Sequence, residues 1–435
     1  LFSYHGMKAG MGFAHDDISI VFTYVAMDKY LKKGGKLGFL LKQPLWRSTA
    51  GRDFRKFQIE KEGGVPIPVK VERVHDLLDI MPFKRSGSET SIAVIEKGEP
   101  TAYPVEYFVW TTKSKQIQET ESLDSVRSSA ESKLLHAYPD PSAGDPRDVW
   151  VLVSPGQKPR SVPMRANAYD VRHGIVNDLD NVFFIEILER LPNGLVRARN
   201  RNDLGRKRVR QISKEIEPDL VYPLLKPRNV RRWKIEGTLP LMIVPQRKHG
   251  ERNELALGLA QPQTLQYLQG FRTELRSRSS RWFKGAGMPF YSIFGIGPYT
   301  FKPFKVVWCC MSFQPNFAVV SKIDDPIIGE KEILPDNTIG YLPLDSEDEA
   351  HFVCAILNSK TAKRRLARRS VRSKWGIPIG AVRTLQVPRF NIDNPVHVQL
   401  SALSRAAHAK ANSPSDVVTL EHEIDSLVQK RSMLG

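Results

Sequence analysis

At 435 residues, 41% of them hydrophobic, the chain is long enough to bury roughly two or three separate cores. Its 65 lysines and arginines against 47 acidic residues leave a formal charge of +18, too large for ordinary surface balance, so a polyanionic partner or an anionic membrane surface is expected. Nucleic acid is preferred and no membrane partner is expected, because the sequence holds no apolar run of about 18 residues to cross a bilayer and no signal peptide. Cys309, Cys310 and Cys354 make no disulfide framework, and a reducing, cytoplasmic setting is the default.

Within 17–46, Ile20, Val21, Tyr24, Val25, Met27, Tyr30 and Leu31 recur at helical spacing, and Lys32, Lys33, Gly34 and Gly35 end that helix before an apolar run, 37–41. The pattern predicts a helix over 17–32 and a buried strand over 36–42, and a helix feeding a buried strand implies a parallel sheet. A helix over 51–59 and strands over 69–78 and 91–95 complete what reads as part of a doubly wound half. No first strand or phosphate loop precedes it, and the chain opens on Leu1, so it reads as the back part of a larger protein.

From 111 to 148 the sequence turns polar, with a Ser/Glu-rich stretch expected to be helical over 119–135 and then a turn-rich segment containing Pro139, Pro141, Gly144 and Pro146. This reads as a linker. Beyond it, β-type runs at 149–153, 182–187, 242–244, 304–311 and 317–320 alternate with expected helices at 262–279, 346–372, 402–410 and 419–431. The resulting division is a first domain over 1–110, a linker over 111–148 and a second domain over 149–435.

Several segments carry a family resemblance. Asp17-Ile-Ser19, Phe22-Thr-Tyr-Val-Ala26, Tyr30-Leu31, Gly34-Gly35, Gly38-Phe39 and Phe54-Arg55, then Val74-His-Asp-Leu77, Pro82-Phe83, Tyr103-Pro104 and Trp110, resemble the end of the catalytic domain in large adenine-N6 DNA methyltransferases of restriction-modification systems. Gly297-Pro-Tyr-Thr-Phe301, Pro303-Phe-Lys-Val-Val-Trp308, Glu349-Ala-His351, Leu357-Asn-Ser359 and Val387-Pro-Arg-Phe390 resemble that family's target-recognition region. The resemblance thins between 111 and 148. It implies an incomplete Rossmann-like α/β methyltransferase sheet followed by a mixed α+β recognition domain with C-terminal helices. Two upstream motifs of the family, a Gly-rich loop that takes S-adenosylmethionine and an Asn/Asp-Pro-Pro-aromatic loop for the flipped adenine, have no counterpart in the sequence. The resemblance therefore implies that the cofactor and catalytic residues belong to an upstream catalytic half of the same protein, and that this chain alone neither binds the cofactor nor methylates DNA. It also places Lys42, Gln43 and Pro44, just past the 37–41 strand, at the carboxyl edge of the sheet, where they either line the adenine pocket or form an ordinary strand-end turn.

The densest basic segment is Lys363-Arg-Arg-Leu-Ala-Arg-Arg369, which continues to Arg372 and Lys374 without an acidic residue. At helical spacing Arg364, Arg365, Arg368, Arg369 and Arg372 share one broad face, with Ile356, Leu357, Ala362 and Leu366 on the buried one. Like charges at these spacings repel and call for an anionic partner; contact with the backbone of double-stranded DNA is one reading, a solvated helix surface the other. Sequence reading needs loop residues able to form bidentate contacts. Arg165, Arg172, His173, Asn177 and Asp178, then Arg228, Asn229 and 247–253, are candidates, each also explicable as ordinary surface. Arg281, Trp282 and Lys284, and Tyr299 with Lys302 and Lys305, interleave cations with aromatic rings and are candidates for clamping a strand, whereas Trp308 and Phe301 read as core. Arg197, Arg199, Arg201 and the run 206–210 are consistent with a basic hairpin on a groove or with a solvated strand edge protected by charge.

Other chemistries are disfavoured. No His/Cys set has metal-ligand spacing, and Walker and Gly-x-Ser-x-Gly motifs are absent. The only acidic-x-Lys triplet, Glu131-Ser-Lys133, precedes Pro139-Asp140, the wrong order for a Pro-Asp nuclease. The leading function is the DNA-reading part of an adenine-N6 methyltransferase; the alternatives are a non-catalytic specificity subunit and, on charge alone, a general RNA-binding or repair protein.

Overall fold

The computed structural model describes residues 2–4, 7–9, 18–48, 51–61, 63–77, 80, 89–112, 121–141, 144–159, 168–205, 207–312, 314–369 and 376–430. The chain forms two units, residues 1–165 with 364–377 and 435, and residues 166–363 with 378–434.

The first unit opens with a small hairpin of β1 (Phe2–Tyr4) and β2 (Met7–Ala9), followed by α1 (Ile18–Tyr30). Ile20, Val21, Tyr24 and Met27 form the buried stripe of α1, as their spacing requires. After α1 ends at Tyr30, Gly34, at φ +77, makes the left-handed turn that delivers the chain into β3 (Lys36–Lys42). There follow α2 (Pro44–Arg47), β4 (Gln58–Ile59), β5 (Ile67–Asp76), β6 (Thr90–Lys97), β7 (Val105–Thr112), α3 (Leu123–Ser129), β8 (Ala130–Pro139) and β9 (Trp150–Val153). The strand order is β3-β6-β5-β7-β8-β9, with β4 added to β5.

This sheet corrects three expectations. Among its described pairs only β5 and β7 run parallel, whereas β3, next to β6, is antiparallel and half exposed rather than buried. A helix before a strand implies a parallel neighbour only if the strand preceding that helix joins the same sheet. The expected helix over 51–59 is a single 3-10 turn, Phe54–Lys56, closed by Phe57 in the left-handed region at φ 48. The 119–135 stretch is helical only over α3; β8 then crosses what reads as linker and pairs with β7 and β9. Leu134, Leu135 and Ala137 suit either periodicity, and pairing with β7 decides for the strand.

The first core is aromatic. Trp46 stacks on Trp150 at 4.9 Å and meets Phe54 edge-on at 5.2 Å. Such pairs contribute about 0.5–1.5 kcal/mol each beyond area burial. Arg55 is buried beside them, its guanidinium donating to the carbonyls of Leu45, Ser48 and Arg147.

In the second unit β10 (Arg172–His173) and α4 (Asp180–Phe183) precede β11 (Phe184–Arg190), β12 (Val196–Asn200), β13 (Ser213–Ile216), β14 (Val221–Leu225), β15 (Val230–Arg231), β16 (Lys234–Ile235) and β17 (Leu241–Ile243). Three short helices, α5 (Glu254–Ala260), α6 (Pro262–Gln269) and α7 (Arg272–Arg276), lead to β18 (Phe304–Cys309), β19 (Phe317–Val320), β20 (Lys322–Asp325), β21 (Gly329–Glu332), β22 (Leu334–Pro335) and β23 (Ile339–Leu344). The remaining helices are α8 (Glu347–Asn358), α9 (Lys360–Arg369), whose residues from Arg364 onward belong to the first unit, α10 (Ile379–Arg383), α11 (Pro395–Ala409) and α12 (Pro414–Lys430). One sheet has the order β13-β12-β11-β17-β14-β22, a second β10-β23-β18-β19. Helix α8 is buried along most of its length and packs on α11, where His351 Nδ1 meets Ser404 Oγ at 3.1 Å.

Two long expected helices are each broken. The 262–279 segment divides at Gly270 into α6 and α7, and the 346–372 segment divides at Ser359 into α8 and α9. Ser359 is extended (φ −66, ψ 155), and its Oγ accepts the Ala362 N–H at 3.2 Å, so the hydroxyl caps a new helix instead of continuing the old one.

Candidate nucleic-acid interface

Helix α9 is fixed at its start by Asp425, whose carboxylate accepts the Lys360 backbone N–H at 2.6 Å and pairs with its ammonium at 3.3 Å. A negative group there complements the positive end of the helix dipole. Ala362 and Leu366 are buried, Lys363 and Arg364 are exposed, and Arg365 is half-buried. Because of the break at Ser359, Ile356 and Leu357 belong to α8 and do not extend the apolar face of α9. Arg368 and Arg369 lie in the helix; their side chains, together with Arg372 and Lys374, lie outside the described residues.

The loop candidates are sorted by burial. Arg228 is exposed on the turn after β14. Arg172 is half-buried, its guanidinium bonded to Asp170 at 2.6 Å and lying 4.2 Å over the Tyr299 ring. Exposed Arg281 lies 4.5 Å over Trp282, and that indole stacks on Phe294 at 4.2 Å and 17°. Lys284 is exposed just beyond. This ladder holds an arginine fork rigidly at the surface, a geometry suited to bidentate contact with a phosphate or a guanine edge.

Asn229 is 2% exposed, its Nδ2 donating to the Glu236 carbonyl at 2.8 Å, and two further candidates are likewise buried. Asn177 is 4% exposed and its side chain is committed to its own turn, with Oδ1 accepting the Leu179 N–H at 2.7 Å and Nδ2 donating to Asp180 at 3.0 Å. Lys305 is 1% exposed on β18, its ammonium bonded to the Lys302 carbonyl at 2.6 Å. The Lys305 ammonium does not reach the surface, because β18 is an interior strand with residues 305–308 all buried, and an Asx turn holds the Asn177 side chain. The basic strand β12 pairs antiparallel with β13 as a hairpin would, but it lies between β11 and β13 rather than at a sheet edge. Arg197 pairs with Glu189 (2.5 Å) and Glu215 (3.4 Å), and Arg199 with Glu186 (2.6 Å), so the charge is balanced across strands.

Burial pulls the Lys305 ammonium from 10.5 down to about 7, opposed weakly by Glu332. Between those values the unfolded chain holds a proton that the folded chain has lost, so stability rises with pH there, at up to about 1.4 kcal/mol per pH unit. Lys305→Met is expected to be more stable than the native chain at pH 7 and to lose this rise between pH 7 and 9 in urea titrations. Parallel pH dependence in both proteins would show the ammonium to be solvated.

At the carboxyl ends of β3 and β5, Lys42 is exposed, Pro44 opens α2, and Gln43 is completely buried. Gln43 Nε2 donates to Asp76 at 3.1 Å, and the Tyr107 hydroxyl donates to the same carboxylate oxygen at 2.7 Å. Burial first, then Asp76, raises the Tyr107 phenol well above its ordinary value, keeping it a proton donor. The structure thus brings Gln43 into a polar cluster at the sheet edge, with Lys42 exposed and Pro44 half-buried.

Residues that composition does not single out carry much of the second unit. Arg278, 4% exposed, donates to the carbonyls of Leu275, Asn177, Ser292 and Phe290 at 2.6–2.8 Å. Arg232 joins Glu421 (2.5 Å) to the Asn358 side chain (2.9 Å). Asp180, Lys226 and Asp336 meet in a cavity although they are far apart in sequence. Among the described residues no group of three or more His, Cys, Asp or Glu is placed to hold a metal ion, and no helix is long and apolar enough to cross a membrane.

No family model matches the chain. It is 33% identical over 149 residues to the type II methyltransferase M.NspV of Nostoc sp. (strain ATCC 29411 / PCC 7524), a match covering 34% of this chain and 29% of that relative. Among solved structures it aligns with the type IIL restriction-modification enzyme MmeI in complex with DNA (TM-score 0.49, 10% identity, 84% of this chain and 44% of that one). It also aligns with the type IIG restriction endonuclease BpuSI (TM-score 0.30, 10% identity, 95% of this chain and 49% of that one). Over those 149 residues the chain is similar in sequence to that methyltransferase, and it spans less than a third of that relative's length.

Proposed function

We propose that this chain is the DNA-recognition portion of a site-specific adenine-N6 DNA methyltransferase of a restriction-modification system. The observation that carries the reading is its kinship with a type II methyltransferase, joined to an exposed cationic segment on α9 and the stacked Arg281–Trp282 pair. In this role Lys363, Arg364 and their neighbours hold the phosphate backbone and loops of the second unit select the sequence. S-adenosylmethionine supplies the methyl group in the full enzyme. Among the described residues no glycine-rich loop lies between a strand and a following α-helix to receive it. The donor and the catalytic loop are assigned to an upstream half of the same protein. Support for a partner beside β3 comes from apolar groups left in solvent: Phe22 is 54% exposed, and the cross-strand pair Leu40 and Ile92 are 39% and 37% exposed.

The experiment is selection from a random-duplex library by this chain at moderate salt. Enrichment of one short motif is expected, followed by N6-methyladenine within that motif when the full-length protein is given S-adenosylmethionine. Retention without any motif would overturn the site-specific reading; methylation of cytosine would overturn the adenine assignment alone.

A further inference from the structure

Beneath the loop 175–180 lies a cavity of about 500 Å³, within the range of ligand pockets, on the order of 300–1,000 Å³. Its interior is unusual for so basic a chain. Asp178, Asp180 and Asp336 line it against Lys207 and Lys226. Lys207 is turned to Ser277 at 2.8 Å, which leaves Lys226 as the internal cation. The Lys226 ammonium sits 3.2 Å from Asp336 and 3.7 Å from Asp180, and 4.5 Å over the Phe184 ring. Asp336 is fixed further by the Thr338 hydroxyl at 2.9 Å, and Asp180 by the Asn177 amide at 3.0 Å.

The frame around these groups is rigid. Buried Arg278 ties the Asn177 carbonyl to that of Ser292, which sets the turn that exposes Asp178 at φ 58. Gly205 on the wall covers fully buried Asn181, whose Oδ1 would stand 2.2 Å from a Cβ there, so a larger residue does not fit at that point of the wall. Outside, Arg208 and Arg228 are exposed on the loops bearing Lys207 and Lys226.

A cavity with surplus carboxylate repels phosphate and accepts hydrogen bonds from a donor. On DNA the fitting donors are the exocyclic amino groups of cytosine and adenine, which Asp and Asn oxygens accept. We propose that this cavity is a base-reading pocket for an amino-bearing nucleobase, with Asp178 and Asp180 as acceptors, Lys226 and Asp336 holding Asp180 in place, and Arg208 and Arg228 on the flanking phosphates. The assignment rests on the site-specific DNA-binding reading above.

The test uses the whole chain and two variants, Asp178→Asn at the exposed rim and Asp180→Asn inside. Each is carried through random-duplex selection, then through binding to the selected duplex in which the exocyclic amino group is deleted base by base with purine or pyrimidinone analogues. The native chain is expected to lose roughly tenfold in affinity at one amino deletion. At least one variant is expected to lose its preference at that position, to become indifferent to the same deletion, and to keep its other preferences. A motif and a deletion penalty equal in all three proteins would overturn the pocket assignment alone. A variant weakened alike on every sequence would also overturn it, since that is the signature of a structural role. No motif in the native chain would instead overturn the parent reading, and the pocket with it.

Discussion

Arg278→Met is expected to destabilise the second unit by about 4 kcal/mol or more, the largest single-residue effect we anticipate on folding. The guanidinium is 4% exposed and lies 3.8 Å over the Phe283 ring, while four backbone carbonyls accept its protons. Burial lowers its pKa to about 10, so it stays charged at neutral pH. Truncation leaves four carbonyls without their donors, each at a penalty of about 1–3 kcal/mol less whatever water recovers. Lysine is not a conservative replacement, because one ammonium has three donors and no planar fork to span carbonyls from separate loops. Urea denaturation of the variants measures this; a loss below about 1 kcal/mol for Arg278→Met would mean that water already solvates the site.

The second large effect is on binding. Lys363→Ala with Arg364→Ala is expected to weaken binding to every duplex by about tenfold or more near physiological salt, without changing sequence preference. Both side chains are exposed on α9, opposite buried Ala362 and Leu366, so their removal leaves the helix packed. Each lost phosphate contact reduces the slope of log affinity against log salt by about 0.9, so the double variant is expected to flatten it by about 1.8. Titrations at several salt concentrations decide it. An unchanged slope would remove α9 from the DNA contact and return it to a solvated surface helix.

The parts of the fold that were legible are those governed by local periodicity. The stripe Ile20, Val21, Tyr24 and Met27 gave α1, the Gly34 turn marked the way into β3, and the apolar runs placed β3, β5, β6, β18 and β19 close to their observed bounds. Legibility failed where a short-range signal opposed a stronger one elsewhere. The Ser359 cap outweighed a continuous helical pattern over 346–372, and β8 became a strand because β7 and β9 supply its hydrogen bonds. At the candidate site, the residue type predicted the presence of charge but not its availability.

The sequence by itself determined the excess of positive charge, the cationic helix of α9, the mixed α/β character of the chain and, over 149 residues, its similarity to one type II methyltransferase. Only the tertiary structure decided which charges remain usable. Sheet order neutralised Arg197 and Arg199 with Glu186, Glu189 and Glu215, while the interior position of β18 and loop packing buried Lys305 and Arg278. The same packing brought Asp180, Lys226 and Asp336 to one cavity. The reason is that ionic pairing and desolvation depend on distances of a few ångströms between residues remote in the chain, and no local pattern encodes them.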